Sequence, residues 1–342
     1  MAVATAQFET VWIVTGGVDL ANRNQPARLN QLIDLASSPP EQISFALKLI
    51  ETDQSLSVVL AAAEILGDAV LPQAYAPLLK QYAHFDTDGV KRDPGGFVRA
   101  AILRALRPLL RPTDIDIMEH AVTTYEFMPP RRSEVAILIR SNALLALNQI
   151  DTDAASYHAV RLLSDPFTSD MTGEPALTAA RVLASQGNLL PLYYHVLYAQ
   201  NPISELLVEE LRSLRNVPPS ALEAVIDKYR ASEDEMILTG LFDLILSLPA
   251  SSRYSDEPRR FLRTTSSLDV YRYVVTEIVA AHKEHLPTLI EVATAEQDSR
   301  KIRILIEALA LLSADRRAID TVRVLERLLL TTIAYADAGQ MC

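Results

Sequence analysis

The sequence predicts an all-α protein built as a linear stack of about eight helix pairs, and three observations carry that prediction. The first is an apolar phrase that recurs along most of the chain. Its copies read VVLAAAEIL (Val58–Leu66), VRAAILRAL (Val98–Leu106), IRSNALLAL (Ile139–Leu147), PALTAARVL (Pro175–Leu183) and LVEELRSL (Leu207–Leu214). Weaker copies follow as ILTGLFDLI (Ile237–Ile245), VYRYVVTEI (Val270–Ile278) and IRILIEALA (Ile302–Ala310). The closing residues Leu66, Leu106, Leu147, Leu183, Leu214, Ile245, Ile278 and Ala310 fall roughly 30 to 41 residues apart. A unit of that length is a helix pair too small to bury its own apolar face, so it depends on its neighbours. The second observation is composition: 49% of residues are hydrophobic, enough for a sizeable core, while Gly numbers ten and Phe eight. The third is that alternating β-branched runs, the period-two signature of strands, are almost missing.

The elements follow in order. Residues 1–27 do not fit the repeat; Phe8, Val11, Trp12, Ile13 and Val14 form an apolar cluster that Gly16-Gly17 ends. This segment reads as an N-terminal cap over the first repeat, because terminal repeats need an atypical outer face. Pro39-Pro40 separates a helix over 26–36 from one over 41–50, and Asp53 or Ser55 is placed to N-cap the third. Helical repeats then occupy 28–315. The longest non-helical insert is His84–Gly96, directly before a helix over Phe97–Leu110, and shorter inserts fall at Met128–Glu134, Pro166–Pro175 and Pro249–Pro258. Inserts of this kind map to turns on one edge of a stack, frequently the binding edge. Residues 316–342 read as a C-terminal capping helix and tail. Its helix, over Ala318–Tyr335, carries Ile319, Val322, Leu325, Leu329 and Ile333 as an apolar stripe that either caps the stack or docks another chain as a route to oligomerisation.

Charge and targeting signals bound the function. A formal net charge of −11 argues against a protein that tracks nucleic-acid phosphates, since such surfaces are built from clustered Lys and Arg. The single cysteine, Cys342, allows neither an intrachain disulfide nor a cysteine metal cage. The opening MAVATAQFETVWIVTGG lacks the basic and long apolar regions of a secretory signal. Apolar stretches such as Leu56–Ala63 fall well short of the roughly 20 residues that cross a bilayer. The expectation is a cytoplasmic protein with no membrane span, no cofactor and no nucleic-acid partner.

Four motifs invite chemistry and lose it on inspection. Val14-Thr15-Gly16-Gly17 begins like a dinucleotide-binding turn, but the further glycines that bring backbone amides onto a pyrophosphate are missing; the next is Gly67. Asp86-Thr87-Asp88-Gly89 begins like a calcium loop, yet that register puts His84 and Gly95 where carboxylates belong, leaving a looser set of Asp86, Asp88 and Asp93. His282-Lys283-Glu284-His285 has the wrong spacing for a zinc hydrolase, which needs two imidazoles four residues apart. Tyr193, Tyr194, His195 and Tyr198 put rings on one helix face, to serve either the core or a binding surface.

Asp93-Pro94 followed by Val98-Arg99, Ala101, Ala105 and Leu106 resembles the HEAT repeat, particularly the bacterial HEAT-like type also found in phycobilin lyase subunits. That pattern is an Asp-Pro turn, then Val-Arg opening the second helix of the pair, then small and apolar residues closing it. Ile139-Arg140 and Ile302-Arg303 repeat the pair, Val270 is followed by Arg272 one place late, and Asp165-Pro166 gives a second Asp-Pro. The resemblance covers roughly 26–315 and implies a right-handed α-α superhelix, a HEAT-like solenoid of about eight helix pairs. It also implies that the Arg bonds the turn Asp. Arg is missing after Val58, Pro175, Leu207 and Ile237, so a continuous ladder of such bonds is not expected.

In such repeats the second helix of each pair lines the concave face. Equivalent positions on it are Glu64, Arg104, Leu145, Arg181, Arg212 and Asp243, with Glu277 and Glu307 in the last two repeats. The expectation is a partner-binding groove with a basic middle (Arg104, Arg181, Arg212) and an acidic C-terminal part (Asp243, Glu277, Glu307), because such sorting steers a complementary partner. The function expected is a non-catalytic scaffold or adaptor that binds a protein partner along this face. The alternative is a lyase- or chaperone-type subunit that holds a chromophore or a client protein.

Overall fold

A computed structural model describes residues 26–130, 132–200, 203–249 and 252–339, with backbone alone for 331–339. The cap expected at 1–27 therefore lies almost wholly outside the described residues. The protein is all-α, a succession of stacked helices with extensive packing between them, and its contacts group into two compact units, Met1–Ile150 and Asp151–Cys342. The division falls inside the stretch read as repeats.

In the first unit the helices are α1 (Ala27–Asp34), α2 (Pro39–Thr52), α3 (Leu56–Ala69), α4 (Tyr75–Asp86), the one-turn α5 (Gly89–Arg92), α6 (Phe97–Leu106), α7 (Ile115–Val122) and α8 (Ile137–Ile150). Helices α3, α6 and α8 pack side by side as one row, and α2, α4 and α7 lie against them as a second. The recurring phrase forms the first of these rows. Val58, Val59, Ala62, Ala63 and Leu66 of α3 are all fully buried, the larger ones contributing about 1.5–3 kcal/mol each. Small residues set the spacing: a Cβ on Gly67 would lie 3.2 Å from the Ala105 Cα of α6, so these two helices cross almost backbone to backbone. Helix structure invades the expected His84–Gly96 insert, where α4 and α5 leave only 87–88 and 93–96 as turns. The Met128–Glu134 insert makes a small hairpin, β1 (Phe127–Met128) paired antiparallel with β2 (Ser133–Glu134).

The second unit continues the alternation with α9 (Thr152–Leu163), α10 (Ala176–Ser185), α11 (Leu189–Tyr198), α12 (Ser204–Ser213), α13 (Glu223–Tyr229), α14 (Glu235–Ser247), α15 (Glu257–Thr264), α16 (Leu268–Ala280), α17 (Leu286–Ala295), α18 (Ser299–Leu309) and α19 (Arg316–Gly339). Helices α10, α12, α14, α16 and α18 form one row in which each packs on the next, and the helices between them form the other. The closest crossing is again set by a glycine, since a Cβ on Gly240 of α14 would stand 2.9 Å from the Val208 Cα of α12. Asp151, Asp234, Ser267 and Asp298 each accept hydrogen bonds from the first amides of the helix that follows, which explains where α9, α14, α16 and α18 begin. Of the eight closing residues read from the phrase, seven are buried; Ala310 is exposed and Leu309 takes its place, a one-residue slip in register. Helix α19 packs on α17 and α18 through Ala318 and Leu325.

Candidate binding face

The candidate positions lie where equivalent spacing puts them, on the row that carries the phrase, but the structure pairs them instead of sorting them by sign. In the first unit Arg104 of α6 donates to Glu64 of α3 at 3.0 Å. In the second unit Arg181 of α10 lies 3.5 Å from Glu209 of α12, and Arg212 of α12 lies 2.5 Å from Asp243 of α14. The hydroxyl of Tyr273, on α16, donates to the other oxygen of Asp243 at 2.5 Å, and Arg272 of α16 pairs with Glu307 of α18. Glu277 sits half-buried on α16 near Tyr273. Five successive helices, α10 to α18, are thus bridged across one face by side chains.

The arginines of the expected basic middle are thus interleaved with carboxylates. Each of the three arginines meets a carboxylate from the adjacent helix, so the face is locally neutral and steers weakly. The arginines remain about half exposed, between 48% and 55% of their side chains. Burial opposes the Arg212 charge, but the Asp243 carboxylate beside it holds the guanidinium above its ordinary value. Between α10, α12 and α14 the face opens into a depression of about 300 Å³, with Leu177, Val208 and Met236 as apolar floor and Arg181, Glu209 and Arg212 among its rim. Glu209, Arg272 and Met236 were not among the candidates. Glu209 lies one turn before Arg212 and Met236 two turns before Asp243, so helical spacing alone reaches them.

The turn-Asp contact implied by the resemblance is present in the first unit. Arg99, with no exposed side-chain surface, donates to Asp93 at 3.2 Å and, through both terminal nitrogens, to Glu126 at 2.6 Å each. Asp93 also accepts from the amides of Val98 and Arg99, at 3.1 and 2.9 Å. Burial disfavours the Arg99 charge, yet Glu126 and Asp93 together hold it above its ordinary value. Gly89 is what makes room, because a Cβ there would stand 2.2 Å from Arg99 Nη1 and 2.3 Å from Glu126 Oε1. Arg140 repeats the arrangement, fully buried, donating to Glu134 at 2.9 Å and to the Thr124 carbonyl at 3.0 Å, with its guanidinium 4.1 Å over the Tyr125 ring. In the second unit the matched pairs fail: Arg272 and Arg303 are exposed. Lys301, two residues earlier, is the cation inside, donating to the Leu262 carbonyl at 3.1 Å and standing 5.0 Å from the Tyr271 ring centroid.

The other motifs resolve as follows. Asp86, Asp88 and Asp93 do not converge: Asp86 meets His120 at 3.0 Å and Arg99 at 3.4 Å, Asp88 meets Lys91, and Asp93 is occupied by α6. His282 lies 3.7 Å from Glu284, while His285 is buried and its imidazole is pushed below the usual range by that burial. Among the described residues no group of three or more His, Cys, Asp or Glu is arranged to hold a metal ion, and no described helix is long and apolar enough to cross a membrane. The aromatic cluster divides. Tyr193 points inward and donates to the Ala221 carbonyl at 2.9 Å, and His195 meets buried Glu210 at 2.7 Å. Tyr194 and Tyr198 are both 65% exposed, with ring centroids 4.7 Å apart.

The fold and face define an all-α protein of stacked helix pairs with one ion-paired, half-exposed row. No protein-family model, curated protein or solved structure matches the chain.

Proposed function

We propose that the chain is a non-catalytic scaffold or adaptor, a HEAT-like solenoid whose units are segments of right-handed α-α superhelix, and that it holds a protein partner along the row of second helices. The observation that carries this reading is the face from α10 to α18 in the second unit. Ion pairs and the Tyr273–Asp243 hydrogen bond link each helix of this row to the next, and a depression between α10, α12 and α14 is lined by Leu177, Val208 and Met236, the last 44% exposed. Half-exposed ion pairs of this kind add only about 0–1 kcal/mol each to folding. Their value lies in fixing the side chains around the depression before a partner arrives, which lowers the ordering cost of binding. A neutral, apolar-floored face with a charged rim suits a protein segment that seats one or two large apolar side chains.

The test is Met236→Glu, which places a charge on the floor without touching a ladder pair, followed by capture of partners from the cell of origin and mass spectrometry. The reading expects the partner set recovered with the unaltered protein to be lost while helicity is unchanged. Recovery of the same set in the same amount overturns it.

A further inference from the structure

Helix α11 is held in its unit by few apolar contacts. Of its ten residues only Leu192 and Val196 are buried, and Leu190, Tyr194 and Tyr198 stand in solvent. Polar ties do the rest. The Tyr193 hydroxyl donates to the Ala221 carbonyl at 2.9 Å, the Tyr229 hydroxyl to the Val196 carbonyl at 2.6 Å, and the Lys228 amine to the Val196 and Leu197 carbonyls at 2.9 Å each. The remaining tie is of a different kind. His195 Nδ1 lies 2.7 Å from Oε1 of Glu210 on α12, a carboxylate whose side chain is 0% exposed. Neither Glu210 oxygen, nor His195 Nδ1, meets hydrogen-bonding geometry with any group among the described residues, so the contact is one of charge and proximity.

We infer that Glu210 and His195 form a proton-operated latch that seats α11 against α12, closed while the pair holds a proton and released as rising pH removes it. A carboxylate buried this deeply persists only beside a cation or by carrying the proton itself. Burial pushes the Glu210 carboxyl up, with the His195 imidazole pulling the other way. When α11 comes away the Glu210 carboxyl meets water and titrates near the ordinary glutamate value, about 4.3. The seated carboxyl, raised by burial, thus keeps a proton that the released one gives up between the ordinary glutamate value and the raised one. For a carboxyl raised in the folded state, the stabilisation is complete below that value and is lost as pH climbs toward the raised one.

The surrounding groups do not share this titration. The Tyr229 phenol, which faces Glu210 from α13, is pushed up to about 12, first by burial and then by the Glu210 charge, so it stays protonated. On the rows packed against α12, Arg181 of α10 is engaged by Glu209, Asp243 of α14 by Arg212, and Asp234 at the start of α14 by the Ser204 hydroxyl.

Hydrogen exchange read by mass spectrometry at pH 5 and pH 8 tests the latch, with protection in α11 expressed relative to α9 after correction for intrinsic rates. One linked proton changes an opening equilibrium by at most about tenfold per pH unit, and the relative protection of α11 is expected to fall between pH 5 and pH 8. Glu210→Gln, isosteric and uncharged, is expected to abolish that fall. A flat ratio in the unaltered protein, or a fall that persists in Glu210→Gln, overturns the inference. Should that variant not fold, His195→Gln leaves the carboxylate without its cation and is expected to loosen α11 already at pH 6; unchanged α11 protection there overturns it equally.

Discussion

The two units fasten their helices in different ways. In the first, arginines reach carboxylates: buried Arg99 holds Asp93 and Glu126, buried Arg140 holds Glu134, and exposed Arg28 donates to Asp53 at 2.6 Å. Asp93, Glu134 and Asp53 sit just ahead of α6, α8 and α3, where their charge also suits the helix N-termini. In the second unit the ties run from Lys and Tyr to backbone carbonyls. Lys301 reaches Leu262, Lys228 and Tyr229 reach Val196, and Tyr254 donates to the Pro219 carbonyl at 3.1 Å. A cation near a helix C-terminus is favourable for the same electrostatic reason. The difference teaches how one packing scheme tolerates two chemistries. It also determines the damage when a tie is cut: removing an arginine strands buried negative charge, whereas removing a lysine strands only a carbonyl.

Cutting the arginine tie is therefore expected to have the largest effect. Arg99→Met leaves Asp93 and Glu126 buried without their counter-charge and is expected to destabilise the first unit by about 3–5 kcal/mol, read from urea unfolding followed by exchange in peptides covering α6 and α8. The closest helix crossings give the next test. Gly240→Ala drives a Cβ to 2.9 Å from the Val208 backbone and is expected to cost the second unit about 1–3 kcal/mol. The same change at Gly67, with 3.2 Å to the Ala105 Cα, regains helix propensity of about 1 kcal/mol against a milder contact and is expected to be close to neutral by thermal unfolding. Lys301→Met, which strands only the Leu262 carbonyl, is expected to cost about 1–3 kcal/mol, below its arginine counterpart in the same assay. Arg212→Ala, a half-exposed ladder pair, is expected to cost under about 1 kcal/mol and to be further reduced by salt.

The period of the chain made most of this legible. Apolar spacing located the phrase-bearing helices and seven of their eight closing residues, because a helix that must face two neighbours advertises its buried stripe. It slipped at Ala310, where adjacent Leu309 and Ala310 fit the pattern equally until packing chose the larger. The Val-Arg pair found Arg99 and Arg140 but misled at Ile302-Arg303. A helix turns about 100° per residue, so the buried cation at Lys301 and the exposed one at Arg303 differ by more than half a turn. Ladder positions were readable from equal spacing; their partners were not, since Glu209 and Arg272 meet Arg181 and Glu307 only through the rotation of neighbouring helices. His195 and Glu210 left no sequence signal, standing on different helices with His195 inside an aromatic run. The calcium-like run Asp86–Gly89 failed for a chemical reason: its carboxylates belong to a buried guanidinium, a histidine and a lysine.

The proposed partner site is the face of the second unit formed by α10, α12, α14, α16 and α18. A photo-crosslinking residue placed at Met236, on the floor of the depression, and in parallel at Leu190, exposed at 79% on the other row, tests this in the cell of origin. The prediction is a discrete crosslinked protein from position 236 and none from 190. A partner captured from 190 alone, with position 236 silent, would contradict it.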